Sequence, residues 1–416
     1  MSAARPPESA RTAARTGEGI LVSMVPTLPG ASVNGQLATL GVMGGGQLGR
    51  MFVQAAQSMG YFTAVLDPDP ASPAGLVSHH HIQADYLDEQ GLAELIQRCA
   101  AITTEFENVP APALITLGKH RWVAPGANAV AIAQDRLREK AHFVRCGVPC
   151  APYAVITTPA QLMAVTDDLL PGILKTARLG YDGKGQVRVR NLDELASAWA
   201  DLKSVPCVLE KMLALKTECS VIVARGRDGA CVHFPLQRNL HRDGILVVTE
   251  VYEGNMPLAL VNQAVDAAKS IADQLDYVGV LCVEFFVLQD DTLVVNEIAP
   301  RPHNSGHYTL DACDQSQFEL QVRTLADLPL VQPRQHSPAF MLNLLGDLWF
   351  AGDSNQAHTP PWDQVLALPG THLHLYGKLD AKRGRKMGHL NITAATVEQA
   401  RTTAWAAAHL LGIAPF

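Results

Sequence analysis

At 416 residues the chain is long enough for two or three domains with sizeable cores. Its content of 48% hydrophobic and 18% charged residues is that of an ordinary globular protein. A formal net charge of −7 provides no global basic field, which argues against a nucleic-acid partner. No apolar run reaches the roughly eighteen residues that span a membrane. The eight cysteines are scattered without CxxC spacing and read as reduced thiols of a cytoplasmic protein.

Residues 1–35 carry Pro, Ala, Ser and Arg without apolar periodicity and are expected to form a disordered extension. Arg5, Arg11 and Arg15 are spaced as in a transit peptide, but Glu8, Glu18 and the prolines argue against one. Residues 37–43 then read as a buried strand, leading through Gly44-Gly45-Gly46-Gln47-Leu48-Gly49-Arg50 into a helix over 51–59. Gly44, Gly46 and Gly49 satisfy G-x-G-x-x-G, and Asp67 ends a second strand over 63–66. Taken literally this is a dinucleotide fingerprint, though its physical content is only backbone N–H groups near an anion at a helix N-terminus. A helix over 91–100 and a strand over 101–104 follow, the strand ending in Glu105-Phe106-Glu107-Asn108, where acids of a parallel sheet reach a ligand crevice.

A new domain is predicted to open at the helix 135–146, which carries Arg136 and Lys140. Strands over 172–176 and 187–190 flank Arg178-Leu179-Gly180-Tyr181-Asp182-Gly183-Lys184-Gly185-Gln186. Such a glycine-rich hairpin loop can lie over phosphates through the N–H groups of Gly183 and Gly185 and the charge of Lys184, and can close as a lid. Lys175 on the incoming strand makes a plain turn the weaker reading. The strand 207–209 ends in Glu210-Lys211-Met212-Leu213, which suits an adenosine pocket with ribose on the acid and backbone reading the base. Strands over 218–224 and 231–235, a turn over 239–244 and a helix over 262–275 complete this stretch.

Two apolar runs, 281–288 and 293–298, flank Asp290-Asp291 and predict a β-hairpin. A two- or four-residue loop centred on that Asp pair sets Glu284 opposite Glu297, roughly 5 Å apart. At an effective dielectric near 20 their repulsion is about 3 kcal/mol, which a hard divalent cation between them would remove. A slipped register, leaving one acid in solvent, is the plainer alternative. Arg301, His303 and Asn304 follow directly, placing a cation, an imidazole and an amide beyond the metal. Pro329, Pro333 and Pro338 mark a boundary, after which strands over 339–345 and 372–376, a basic hairpin from Lys378 through Lys382-Arg383-Gly384-Arg385-Lys386 and a helix over 397–411 are expected. That hairpin is either a solvated turn or a seat for a substrate phosphate.

In this order, GGGQLGRM, EFENVP, GYDGKGQ, NEIAPRPHNSGH and YGK…GRKMGHLN resemble the ATP-grasp superfamily, and within it the N5-carboxyaminoimidazole ribonucleotide synthetases, over residues 36–416. The resemblance implies an α/β architecture (α+β in the central domain): a disordered extension (1–35), a Rossmann-like parallel-sheet domain (36–134), an ATP-grasp domain with a glycine-rich lid (135–330) and a small β-rich domain that binds substrate phosphate (331–416). It implies ATP contacts at Arg136, Lys175, Gly180, Tyr181, Asp182, Gly183, Lys184, Gly185, Gln186, Glu210, Lys211, Met212, Leu213, Glu218, His241, Asn296 and Glu297. Magnesium would sit on Glu284 and Glu297, the reacting groups against Asp182, Lys184, Arg301, His303 and Asn304, and the ribotide against Gln47, Leu48, Glu107, Lys378 and Arg385. Position 184 is often Arg in that family, and Lys keeps the charge without the planar fork. The implied reaction joins ATP, bicarbonate and aminoimidazole ribonucleotide in a cytoplasmic homodimer. Formate-dependent glycinamide ribonucleotide transformylases and biotin carboxylases share the nucleotide machinery, so the substrate end must discriminate. A nicotinamide dehydrogenase and a non-catalytic nucleotide sensor are the alternatives of a different class.

Overall fold

The computed structural model of the chain describes residues 25–33, 35–178, 180, 185–350, 352 and 356–416. Residues 1–24 of the expected extension lie outside the described residues. Residues 25–33 correct the expectation of disorder. There β1 (Ser32–Val33) pairs antiparallel with β2 (Gln36–Leu37), Thr27 N donates to the Ala326 carbonyl at 2.9 Å, and the Tyr61 hydroxyl donates to the Thr27 carbonyl at 2.6 Å. Main-chain hydrogen bonds hold this segment, and apolar periodicity is blind to them.

The N-terminal body runs β3 (Thr39–Met43), α1 (Gln47–Ser58), β4 (Phe62–Leu66), β5 (His80–Ile82), α2 (Glu89–Arg98), β6 (Ala101–Thr104), α3 (Ala111–Gly118), β7 (Trp122–Val123) and α4 (Ala127–Ala133). Its strands form a parallel sheet in the order β5-β4-β3-β6-β7. Central β3 is buried along its whole length, as a strand between two parallel neighbours requires, and its one polar residue, Thr39, bonds its hydroxyl to the Leu37 carbonyl. The C-terminal ends of β3, β4 and β6 bring the glycine-rich loop, Asp67 and Glu105 to one edge.

The middle of the chain contributes α5 (Arg136–Arg145), β8 (Tyr153–Ile156), α6 (Pro159–Met163), β9 (Gly172–Thr176), β10 (Gln186–Val189), α7 (Leu192–Asp201) and β11 (Cys207–Lys211), with an antiparallel sheet ordered β10-β9-β11-β8. Asp135 starts α5 by accepting the N–H groups of Leu137 and Arg138. The remainder is β12 (Leu215–Arg225), β13 (Cys231–His233), β14 (Gln237–Arg242), β15 (Ile245–Val251), α8 (Leu258–Gln274), β16 (Gly279–Leu288), β17 (Leu293–Ala299), α9 (Thr309–Ala312), α10 (Gln317–Leu325), β18 (Ala339–Leu345), α11 (Trp362–Leu366), β19 (Thr371–Leu375), β20 (Lys386–Thr393) and α12 (Val397–Leu411).

Two findings change the sequence reading. The turn expected over 239–244 is confined to Asp243-Gly244, both at positive φ, and it joins β14 and β15 as a two-residue hairpin. The strand was missed because its inward residues, Gln237 and Asn239, are polar and are buried through hydrogen bonds with Ser220. The C-terminal strands, moreover, do not form a sheet of their own. Through the pairing of β15 with β18 they continue one antiparallel sheet ordered β17-β16-β12-β14-β15-β18-β20-β19, with β13 on the flank of β12. Helix α8 covers this sheet, its Ala264, Ala268 and Ile271 packing with Val221, Val283 and Phe285. Phe52 and Val53 of α1 share a core with Val322 and Leu325 of α10, which seats the N-terminal sheet beside the large one. No helix among the described residues is long and apolar enough to cross a membrane.

Candidate active site

The hairpin β16–β17 places Glu284 opposite Glu297, the pairing expected from the sequence, but by another route. The loop is three residues long, with Asp291 at φ 66° and Asp291 N bonded to the Leu288 carbonyl, so Val287 faces Leu293. This register alone would set Glu284 against Asn296. A β-bulge between Glu284 and Phe285 inserts Asn296 as an extra residue and restores the acid pair. One face of α5 holds the bulge: Glu139 accepts the Ile298 N–H at 2.8 Å, Lys140 donates to the Asn296 carbonyl at 3.1 Å, and Arg136 Nη1 reaches Glu297 Oε2 at 3.1 Å. Spacing of i, i+3 and i+4 aligns these three on one stripe of the helix.

Each acid has a partner within the chain. His303 Nε2 lies 2.8 Å from Glu284 Oε1, and Arg136 serves Glu297. Burial pushes the Glu284 carboxyl up, but the charge and hydrogen bond of His303 outweigh it and hold that carboxyl well below its usual range. Asn296 Oδ1 is buried without a hydrogen-bond partner. Two carboxylates and an unengaged amide oxygen on one cavity wall fit a hard divalent cation such as magnesium.

The cavity they face has a volume near 770 Å³. Arg136, Lys175, Gly180, Gln186, Glu218, His241, Asn296 and Glu297 of the expected ATP set line it, with Ile173, Leu246 and Phe286 as apolar wall. Glu218 Oε2 meets His241 Nδ1 at 2.9 Å, and the neighbouring acids raise the imidazole's pKa despite a burial that lowers it. Gly185, at φ 70°, bonds its carbonyl to Thr176 N, while Tyr181, Asp182, Gly183 and Lys184 lie outside the described residues. Glu210, expected to hold a ribose, is engaged within the chain. Its buried carboxylate is held between Lys175 Nζ at 2.8 Å and Lys140 Nζ at 3.2 Å. Burial raises its pKa, and the two lysines reverse that to about 2. Lys211, Met212 and Leu213 are not among the residues lining the cavity.

A second cavity of about 370 Å³ is lined by Gln47, Leu48, Tyr86, Glu105 and Phe106, and shares Glu107, Arg301, His303, Asn304 and Lys386 with the first. Arg301 pairs with Glu107, whose carboxyl is pushed up by burial but brought to about 2 by that guanidinium. Asn304 Nδ2 is buried with no partner on the wall common to both spaces. The glycine-rich loop is not open to a pyrophosphate. Asp67 accepts from Gly45 N at 2.7 Å, and Glu105 accepts from Gly46 N and Gly49 N at 3.0 and 3.1 Å. A Cβ on Gly46 would collide with Glu105, so the glycine serves a carboxylate of the chain itself. The nicotinamide alternative loses its phosphate seat.

Lys378 Nζ donates to the Lys386 carbonyl at 2.6 Å and Arg385 Nη1 to the Asp380 carbonyl at 3.0 Å. Neither is among the residues lining these two cavities, whereas Lys386 lines both. Burial and the charge of Arg385 lower the Lys378 amine to about 8, with Glu105 opposing. Sequence reasoning missed Glu139 and gave Lys140 no role, although their spacing from Arg136 along one helix is a signal; it named Glu105 only among the crevice acids and Lys386 only within the basic hairpin.

Comparison with known proteins agrees with this geometry. A ribonucleotide synthetase preATP-grasp domain matches residues 37–134, an ATP-grasp domain 141–318, and a phosphoribosylaminoimidazole carboxylase C-terminal domain 339–403. The N5-carboxyaminoimidazole ribonucleotide synthase of Brucella melitensis is 44% identical over 360 residues, 85% of this chain and 95% of that protein. The chain belongs to the N5-carboxyaminoimidazole ribonucleotide synthase family. Solved synthases of that family superpose along nearly the whole fold. The Staphylococcus aureus N5-carboxyaminoimidazole synthetase complexed with ADP has a TM-score of 0.82 and 37% identity, covering 92% of this chain and 99% of that one. The Aspergillus clavatus synthase in complex with ADP and 5-aminoimidazole ribonucleotide has a TM-score of 0.82 and 32% identity, covering 90% and 99%.

Proposed function

We infer that this chain is an ATP-dependent ligase of purine biosynthesis that carboxylates 5-aminoimidazole ribonucleotide to N5-carboxyaminoimidazole ribonucleotide, with bicarbonate as carbon donor and ADP and phosphate as products. The observation that carries this reading is the wall of Glu107, Arg301, His303, Asn304 and Lys386 common to two cavities. A nucleotide in the larger cavity and a ribotide in the smaller would meet across it. Glu284, Glu297 and Asn296 Oδ1 would hold magnesium, which would supply positive charge against that developing on the nucleotide phosphates. Lys175 and Arg136 orient the phosphates, Glu218 and His241 face the ribose, and Ile173, Leu246 and Phe286 take the base.

Bicarbonate is a poor electrophile, so its oxygen first attacks the γ-phosphorus and ADP leaves. Arg301, His303 and the unpaired Asn304 amide are placed to hold the oxygens of the resulting carboxyphosphate. The 5-amino nitrogen then takes the carboxyl group and phosphate departs. Lys184 and Asp182 belong to the same proposal through the family pattern, as do Gln47, Leu48, Lys378 and Arg385 at the ribotide end. The family reading extends to domain borders near 134/135 and 330/331 and to a cytoplasmic homodimer. ADP release measured with ribotide, bicarbonate and magnesium, each omitted in turn, tests the proposal. It should require all three. Equal release without the ribotide, or with glycinamide ribotide and formate in its place, would overturn the assignment.

A further inference from the structure

Outside the proposed reaction, one group on β16 has no role yet. Cys282 is two residues from Glu284, so strand alternation sends both side chains to the same face of the sheet. Cys282 Sγ, a Glu284 oxygen and a His303 ring nitrogen all lie within 4.8 Å of one another, the one such trio among the described residues. We propose that Cys282, Glu284 and His303 form a binding site for a thiophilic divalent cation of the zinc class, overlapping the magnesium position and exclusive with it. This rests on the proposed role of Glu284 and His303 in the carboxylation site.

The donor chemistry selects the ion. Magnesium takes oxygen ligands and leaves a thiol and an imidazole unused, whereas one sulfur, one nitrogen and one carboxylate oxygen make a set that zinc-class ions take. Three protein ligands leave a fourth position open, and Glu284 and His303 line the main cavity, so that position faces the substrates. The imidazole is already oriented for the purpose. Ser305 Oγ lies 2.9 Å from His303 Nδ1, and Ser220 Oγ 2.8 Å from Ser305 Oγ, leaving Nε2 turned to Glu284. Nδ1 accepts the Ser305 N–H at 3.3 Å, so the ring proton lies on Nε2 toward Glu284, and metal binding there shifts it to Nδ1, where Ser305 Oγ can accept it. Binding displaces the thiol proton to solvent, since the thiolate is the ligand, moves the Nε2 proton to Nδ1, and replaces the His303–Glu284 hydrogen bond with two metal bonds. The consequence is inhibition: Glu284 cannot serve both ions, and His303 is withdrawn from the shared wall.

Cobalt(II), a zinc substitute with visible and near-ultraviolet transitions, tests this on the full chain with no nucleotide or ribotide present. The wild type should show a sulfur-to-cobalt charge-transfer band that saturates at roughly one equivalent, as a site of one thiolate and two further protein ligands requires, and is displaced by zinc. Cys282→Ala should lack the band and need at least about tenfold more zinc for half-inhibition, a loss no smaller than that of removing a residue that only orients a metal ligand. Its zinc-free turnover should match the wild type. If the alanine lowers the melting temperature, Cys282→Ser repeats the comparison with volume kept. No band in the wild type, or equal zinc sensitivity in wild type and variant, overturns the proposal. Because the band is read without substrates, it stands or falls apart from the carboxylation assay.

Discussion

Glu284 and Glu297 face each other with His303 and Arg136 already in place, so their repulsion is answered before any metal arrives. Relief of repulsion therefore cannot stabilise a Glu297→Gln variant. The substitution leaves Arg136 without its carboxylate and removes a metal oxygen while keeping shape. Turnover should fall about a hundredfold or more, the scale of losing one preorganised charge partner, with a melting temperature equal to or slightly below wild type. Wild-type turnover at low magnesium would remove Glu297 from the metal site. Lys378 supports a pH prediction. Its amine is brought down to about 8 by burial and by Arg385. A lysine gives its charge to a bound phosphate only below its pKa. The apparent constant for the ribotide should thus rise as pH passes about 8, and Lys378→Arg, always charged, should flatten that rise. A profile unchanged by the arginine would show that Lys378 does not meet the phosphate.

At the scale of elements, the active hairpin depends on a helix far away in sequence. Glu139 and Lys140 of α5 grip the main chain on either side of Glu297, at Ile298 and Asn296. Burial pushes the Glu139 carboxyl up to about 8, against an ordinary 4.5. A folded pKa above the unfolded one means that this group's stability contribution is full below about 4.5 and lost as pH climbs to about 8. Glu139→Gln keeps an acceptor for Ile298 N–H and removes the titration. It should leave turnover near wild type and flatten the stability profile across that window. Glu139→Ala strands the Ile298 N–H and should cost about 1–3 kcal/mol, with turnover falling as the bulge relaxes. Urea unfolding at several pH values, alongside steady-state assays, separates the two. Equal turnover in Gln and Ala variants would mean that the bulge holds without the clamp.

For the whole molecule, a single large sheet carries both ATP-facing and C-terminal strands, and the segment before Gln36 is tied to the end of α10 through Ala326 and to the N-terminal body through Tyr61. A chain beginning at Val25 should melt like the full-length protein. One beginning at Gln36 loses both Thr27 hydrogen bonds and should be less stable by about 1–3 kcal/mol, at 0.5–1.5 for each. Identical stability of the two truncations would show that the ties are idle.

The sequence by itself determined the order of the elements and the chemistry of the centre. Apolar runs located β6, β9, β18 and α12 residue for residue, because buried strands and amphipathic helices carry their period locally. The sequence also set Glu284 opposite Glu297, from a loop length that differs from the one formed, and placed Arg301, His303 and Asn304 directly after the hairpin because that order is local. What tertiary structure decided was every pairing between distant segments. The bulge at Asn296 is held by residues some 160 positions earlier, Glu210 is taken by two lysines, and the glycine-rich loop is filled by Asp67 and Glu105. A carboxylate looks the same in sequence whether it awaits a ligand or is spent on a buried cation. Only folding, which sets the cost of leaving a buried charge or N–H unmatched, assigns it one part or the other.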